Sequence, residues 1–259
     1  GNTAGYYASG SHNIFIGFET GKGGTSGTPY SSGQNNVALG SQALYTFTTG
    51  GNNVAIGHEA GKLLTTGASN VLIGHGTGDT LTSGHSNVFI GQSAGDYVQT
   101  GERNVAIGLE AYTYGATDGV RNTFIGQGAG STNFGDGQVG IGYAAFQQYT
   151  AAGGAQTFVG YQSGQTIKTG EGNTAVGSYT FGGSKFAQDS VAVGMAAGQY
   201  SSGSQNVLIG RSAGTLMYSG SDNVHIGYTA GYNATGSYNT FVGSAAGKGG
   251  TTSAPYSSG

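Results

Sequence analysis

The chain has 259 residues, a formal net charge of −3 at pH 7, only 7% charged residues, 55 glycines, two prolines and no cysteine. Its eight basic residues (Lys22, Lys62, Arg103, Arg121, Lys168, Lys185, Arg211, Lys248) are scattered, so no basic patch awaits nucleic acid, and without cysteine there is neither a disulfide framework nor a thiolate metal site. Glycine does not fall at every third position as collagen requires, apolar residues recur at fixed slots as flexible linkers lack, and no run of about 18 apolar residues exists to span a bilayer.

In chain order, an apolar triplet closed by glycine opens at Ile14-Phe15-Ile16-Gly17 and recurs with anchor glycines at 40, 57, 74, 91, 108, 126, 142, 160, 177, 194, 210, 227 and 243. The four gaps from Gly40 to Gly108 are 17 residues each. A fixed period of this length predicts an all-β, parallel β-solenoid of about 14 coils of 16–18 residues. At about 4.8 Å per coil, the array predicts one continuous rod on the order of 65 Å over residues 1–259. A longer repeat is superimposed: residues 1–33 resemble 227–259 at an offset of 226, and the insert Gly21-Lys22-Gly23-Gly24-Thr25 through Pro29-Tyr30-Ser31-Ser32-Gly33 returns with both prolines of the chain. The expectation is an excerpt of a longer fibre.

Within a coil such as residues 67–84, Gly-x-x-Asn precedes the triplet; glycine supplies positive φ and the Asn amide satisfies turn backbone. Stacking predicts that Asn53, Asn70, Asn87, Asn104 and Asn122 form a turn ladder along the axis. The first and third triplet residues are β-branched or aliphatic and share one face, taken as the coil's own core. The middle residue then faces outward, yet it too is apolar in every coil except that of His225. Covering it with sister chains predicts a parallel homo-oligomer with Phe15, Ala38, Ala55, Leu72, Phe89, Ala106, Phe124, Phe158, Leu208 and Phe241 at the interface. The alternative is that this face packs against arm residues of its own chain such as Leu63, Tyr97 or Leu216. Four residues past the anchor stands glycine in ten coils, and Leu44, Tyr112, Phe146 or Phe181 in the others, read as outward or inter-chain plugs.

The blocks Asn53-Val54-Ala55-Ile56-Gly57, Asn104-Val105-Ala106-Ile107-Gly108 and Ser190-Val191-Ala192-Val193-Gly194 resemble the head repeats of trimeric autotransporter adhesins. Gly236-Ser237-Tyr238-Asn239-Thr240-Phe241-Val242-Gly243 is similar to Gly-rich arrays of phage tail fibres and giant bacterial surface proteins. The resemblance spans nearly the whole chain and implies a left-handed β-roll, a homotrimer before higher cyclic orders, and an extracellular, cell-surface or virion-tail location. The adhesin repeats are shorter, so the left hand and the trimer are what the resemblance implies, not what this chain's own period predicts.

Chemistry is sparse. Glu19, Glu59 and Glu110 share a slot, but Glu59 and Glu110 lie three coils apart, roughly 14 Å, too far for a glycosidic carboxylate pair. His58 and His75 should stack in adjacent coils yet have no third ligand. No catalysis, cofactor or metal is expected. Two functions remain: an adhesive fibre shaft attaching to cells or host surfaces, or a recognition module, such as a phage receptor-binding or glycan-binding fibre, that uses some of the 17 tyrosines on cell-surface glycans or proteins.

Overall fold

The structure, a computed structural model, describes residues 1–24, 31–115, 118–133, 135–151 and 154–249. Pro29, Pro255 and most of the two inserts that carry the 226-residue repeat lie outside the described residues. The chain is an all-β, parallel β-solenoid of fourteen three-residue strands, and no helix occurs among the described residues. Two compact units divide it. Unit 1, Gly1–Ser131, holds β1 (Ile14–Ile16), β2 (Val37–Leu39), β3 (Val54–Ile56), β4 (Val71–Ile73), β5 (Val88–Ile90), β6 (Val105–Ile107) and β7 (Thr123–Ile125). Unit 2, Thr132–Gly259, holds β8 (Val139–Ile141), β9 (Thr157–Val159), β10 (Thr174–Val176), β11 (Val191–Val193), β12 (Val207–Ile209), β13 (Val224–Ile226) and β14 (Thr240–Val242).

In each unit the strands pair in parallel and in chain order, with equivalent residues opposite one another: Val54 faces Val71, Ala55 faces Leu72 and Ile56 faces Ile73. Hydrogen bonding continues far beyond the strands. Gly61 N–H donates to the Thr77 carbonyl (2.9 Å), Leu63 N–H to that of Asp79 (3.0 Å) and Thr65 N–H to that of Thr82 (2.9 Å), so the turns are ladder-bonded too. Because strand and turn alike find partners one coil away, the otherwise irregular arms satisfy their backbone groups without water.

The strand faces are the reverse of the sequence expectation. Residues assigned to an inter-chain interface point into the coil: Ala38, Ala55, Leu72, Phe89, Ala106, Phe124, Phe158 and Leu208 are 0% exposed. Phe15 and Phe241, on β1 and β14, are half-buried but also face inward, Phe15 against the Phe47 ring at 5.3 Å. The first and third residues of each strand face outward and are half-buried or exposed. The reason is volume, since the interior of so small a coil accepts one strand side chain and would be overfilled by two β-branched ones. The remaining interior comes from the arm, as the alternative reading held, but one residue later than expected. Leu64 and Val98 are fully buried, whereas Leu63 and Tyr97 are exposed.

Interior volume is conserved within the coil. Where the middle residue is Phe89, Phe124 or Phe158, the slot four past the anchor is Gly95, Gly130 or Gly164, whose added Cβ would lie 2.3–2.4 Å from the ring. Where the middle residue is Ala38, Ala106, Gly140 or Ala175, that slot holds Leu44, Tyr112, Phe146 or Phe181, all at most 1% exposed. These four are therefore core fillers, which corrects their reading as outward plugs. They keep the left-handed backbone of the glycines they replace, with φ of 48–53°, at about 1–2 kcal/mol each. Ala55 with Gly61, and Ala192 with Gly198, leave room that neighbouring coils occupy: Leu72 and Leu44 reach Gly61, and Phe181 and Leu208 reach Gly198.

Phe89→Ala should cost about 3–5 kcal/mol in urea unfolding, and Gly95→Phe alone should be at least as harmful because it collides with the Phe89 ring. The double variant Phe89→Ala/Gly95→Phe reproduces the Ala175 and Phe181 arrangement and should be more stable than either single variant.

Candidate functional site

The asparagines lie inside the turn. Asn53, Asn70, Asn87, Asn104 and Asn122 are at most 1% exposed. Asn70 Nδ2 donates to Asn53 Oδ1 (3.0 Å) and to the Gly84 carbonyl (2.9 Å), while Asn70 N–H donates to the same Asn53 Oδ1 (2.9 Å). Asn87 and Asn104 repeat this set on the preceding asparagine. At Asn122 the backbone N–H likewise donates to the preceding asparagine, Asn104 Oδ1 (3.0 Å), and Nδ2 donates to the Tyr112 hydroxyl (3.1 Å). With every amide engaged along the stack, the ladder is a structural spine with no group presented to a ligand.

Outside, unit 1 carries two unbroken columns, the first and third residues of β1–β7. All are aliphatic except Thr123, and Ile14, Ile16 and Leu39 are 54%, 56% and 43% exposed. The residue after each anchor adds a third exposed column that includes Phe18, His58, His75 and Leu109. His58 and His75 stack at 5.1 Å with planes 8° apart. His58 Nδ1 is 3.7 Å from Glu59 Oε2, and among the described residues no three His, Asp or Glu side chains are placed to hold a metal. Glu19 and Glu59 are each committed to a lysine three residues on, Lys22 and Lys62, at 2.6 Å. These hydrogen bonds hold both carboxyls below the usual range, Gln42 adding to the effect at Glu19. The structure brings neither together with Glu110 as a working pair.

Exposed tyrosines form stacks along the coils. Tyr143 and Tyr161 in unit 2 are 5.2 Å apart with planes 13° from parallel, and Tyr97 and Tyr114 in unit 1 are 5.0 Å apart at 28°. Stacking turns ring faces toward each other and leaves edges and hydroxyls outward, an arrangement poorly suited to a sugar laid flat on an aromatic face.

Two ionisable sites lie off the open surface: the half-buried pair Asp79 and Asp96, not singled out in the sequence, and the buried His225. Asp79 and Asp96 follow the left-handed glycines of adjacent coils and meet side chain to side chain. Burial first, then the hydrogen bond and charge of Asp79, push the Asp96 carboxyl up to about 8, so the pair retains a proton at neutral pH. Two aspartates 17 residues apart in one slot were the available signal. His225, the polar middle residue of β13, is 0% exposed, stacks on Phe241 at 5.0 Å, and has no hydrogen-bond partner on either ring nitrogen. Burial pushes it down to about 4. Its alternation among phenylalanines at the same slot was visible in the sequence, but it was read on the outer face.

No family model, curated protein or solved structure matches this chain. Among the described residues, no helix is long and apolar enough to cross a membrane.

Asp96 and His225 predict opposite pH responses. Asp96 binds a proton more tightly folded (about 8) than unfolded (about 3.9), so its contribution is full below about pH 4 and is lost as pH rises toward 8. Asp96→Asn should therefore raise the melting temperature at pH 7.5, by about 2–4 °C per kcal/mol recovered, with little change at pH 4, as calorimetry across pH would read. His225 binds a proton less tightly folded (about 4) than unfolded (about 6.5), so stability falls as pH drops from about 6.5 to 4. His225→Phe, which matches the Phe89 and Gly95 arrangement at Gly231, should stabilise by about 2 kcal/mol at neutral pH by removing two unpaired nitrogens, and by more at pH 5.

Proposed function

We propose that the chain is a non-enzymatic, extracellular fibre element: parallel β-solenoid chains associate into a homo-oligomeric shaft used in attachment to cells or to a host surface, in which these coils are the stiff spacer and do not themselves bind. The observation that carries this reading is the repetition of coil-to-coil bonding through strand and turn alike, with strand registers such as Val71 to Val88 and turn bonds such as Gly78 N–H to the Ala94 carbonyl (3.0 Å). Each coil is tied to the next by many short bonds and a buried amide ladder, so bending or extension must strain all of them together. A stiff spacer needs this property and needs no pocket. The lack of cysteine suits an oxidising exterior.

A second reading, direct recognition of glycans or cell-surface proteins, is favoured by the exposed tyrosines, of which Tyr238 is 79% exposed. The ring stacks weigh against flat sugar binding and leave edge-on, multivalent contacts as the remaining mode. Glycan-array and cell-binding titrations of the purified protein separate the two. The shaft reading expects no saturable binding; saturable binding that is lost in Tyr143→Ala/Tyr161→Ala would replace it with recognition.

A further inference from the structure

The outward face of unit 1 is the surface that this fold leaves unfinished. A parallel sheet is ordinarily covered on both sides, whereas here the chain covers only the side of the middle residues. Burying a Val, Leu or Ile side chain removes about 60–120 Å²; Ile14, Ile16 and Leu39 are about half exposed and the other eleven side chains of the two columns are half-buried, so together they present on the order of 400 Å². That lies within the range of the largest apolar patch on a monomer, about 300–600 Å² and often functional, and supplies about half of the roughly 800 Å² per partner of a standard interface.

We infer that this face, the first and third residues of β1–β7, packs against the same face of another copy of this chain. Three properties select that occupant. The columns repeat at the strand spacing, about 4.8 Å, so an identical face offset by half a step interdigitates along its whole length, while a partner without the repeat meets it at a few points only. Neither column in unit 1 contains a charged residue, so like faces approach without repulsion or buried unpaired charge. The side chains are mainly β-branched Val and Ile with restricted rotamers, so little side-chain entropy is lost on contact. The inference rests on the oligomeric-fibre reading and replaces its interface: Ile73 and Ile107 form it, while Leu72 and Ala106 lie within the coil.

Sedimentation of the whole chain over a hundredfold concentration range tests it, with Ile73→Lys/Ile107→Lys, the milder Ile73→Thr/Ile107→Thr, and Gln92→Lys as a control on the neighbouring exposed column. The expected result is a discrete oligomer for the parent and the control, a shift of at least tenfold in its dissociation midpoint for the Thr pair, and monomer for the Lys pair with an unchanged circular dichroism spectrum. Should the Lys pair unfold, the Thr pair decides alone. Because the chain has no cysteine, a short bis-maleimide gives a second readout: Ile73→Cys should cross-link between chains and Ser83→Cys, on the arm, should not. Assembly unaffected by the substitutions overturns this face while leaving the shaft reading standing. A monomeric parent, or one that only aggregates without a discrete species, overturns the interface and the oligomer together.

Discussion

The fold depends on backbone meeting backbone at the anchor glycines. A Cβ added at Gly57 would lie 2.3 Å from the Gly74 carbonyl oxygen, and one at Gly91 would lie 2.5 Å from that of Gly108. No side chain fits there, so only glycine permits the coils to close to hydrogen-bonding distance. Gly74 N–H then donates to the Ile56 carbonyl (2.8 Å) and Gly91 N–H to that of Ile73 (2.8 Å). Once that spacing is set, the other columns follow from it: strands pair in register, arms bond to arms, and each asparagine comes within reach of the one before it.

Inside and outside obey different rules under this constraint. The interior is a volume problem, solved coil by coil through trading size between the middle residue and the left-handed slot, as in Phe89 with Gly95 and Ala106 with Tyr112. The exterior is a shape problem, solved by near-identical β-branched residues that pack along the column and leave their outer halves uncovered. A variable interior and a uniform exterior invert the usual expectation for a soluble domain. They suit the contact with a second copy proposed for the outer face.

Much of this was legible in the sequence. The anchor period located all fourteen strands, Gly-x-x-Asn located the amide ladder, and equal slots brought His58 against His75. The orientation of the strands was not legible by alternation, because a three-residue strand that is apolar on both sides has no polar face to orient it. Covariation within the coil held the missing information. Each of Leu44, Tyr112, Phe146 and Phe181 accompanies Ala or Gly in the middle slot, as side chains sharing one cavity must. The arm was misread by a single residue, Leu63 for Leu64, since an irregular turn has no fixed side-chain period.

One comparison tests the central constraint most directly: the difference in unfolding free energy between Gly74→Ala and Gly76→Ala. Both glycines have positive φ, 141° and 60°, but a Cβ at Gly74 meets the Gly91 carbonyl at 2.6 Å, whereas at Gly76 the nearest atom is the Ser93 hydroxyl at 3.9 Å. Gly76→Ala should cost about 1–2 kcal/mol, the left-handed backbone penalty alone. Gly74→Ala should exceed it by about 3 kcal/mol or prevent folding, because φ 141° is closed to a residue with a Cβ and stacked coils must separate to admit the methyl group. Equal costs for the two substitutions would contradict the claim that close backbone approach at the anchor column holds the solenoid together.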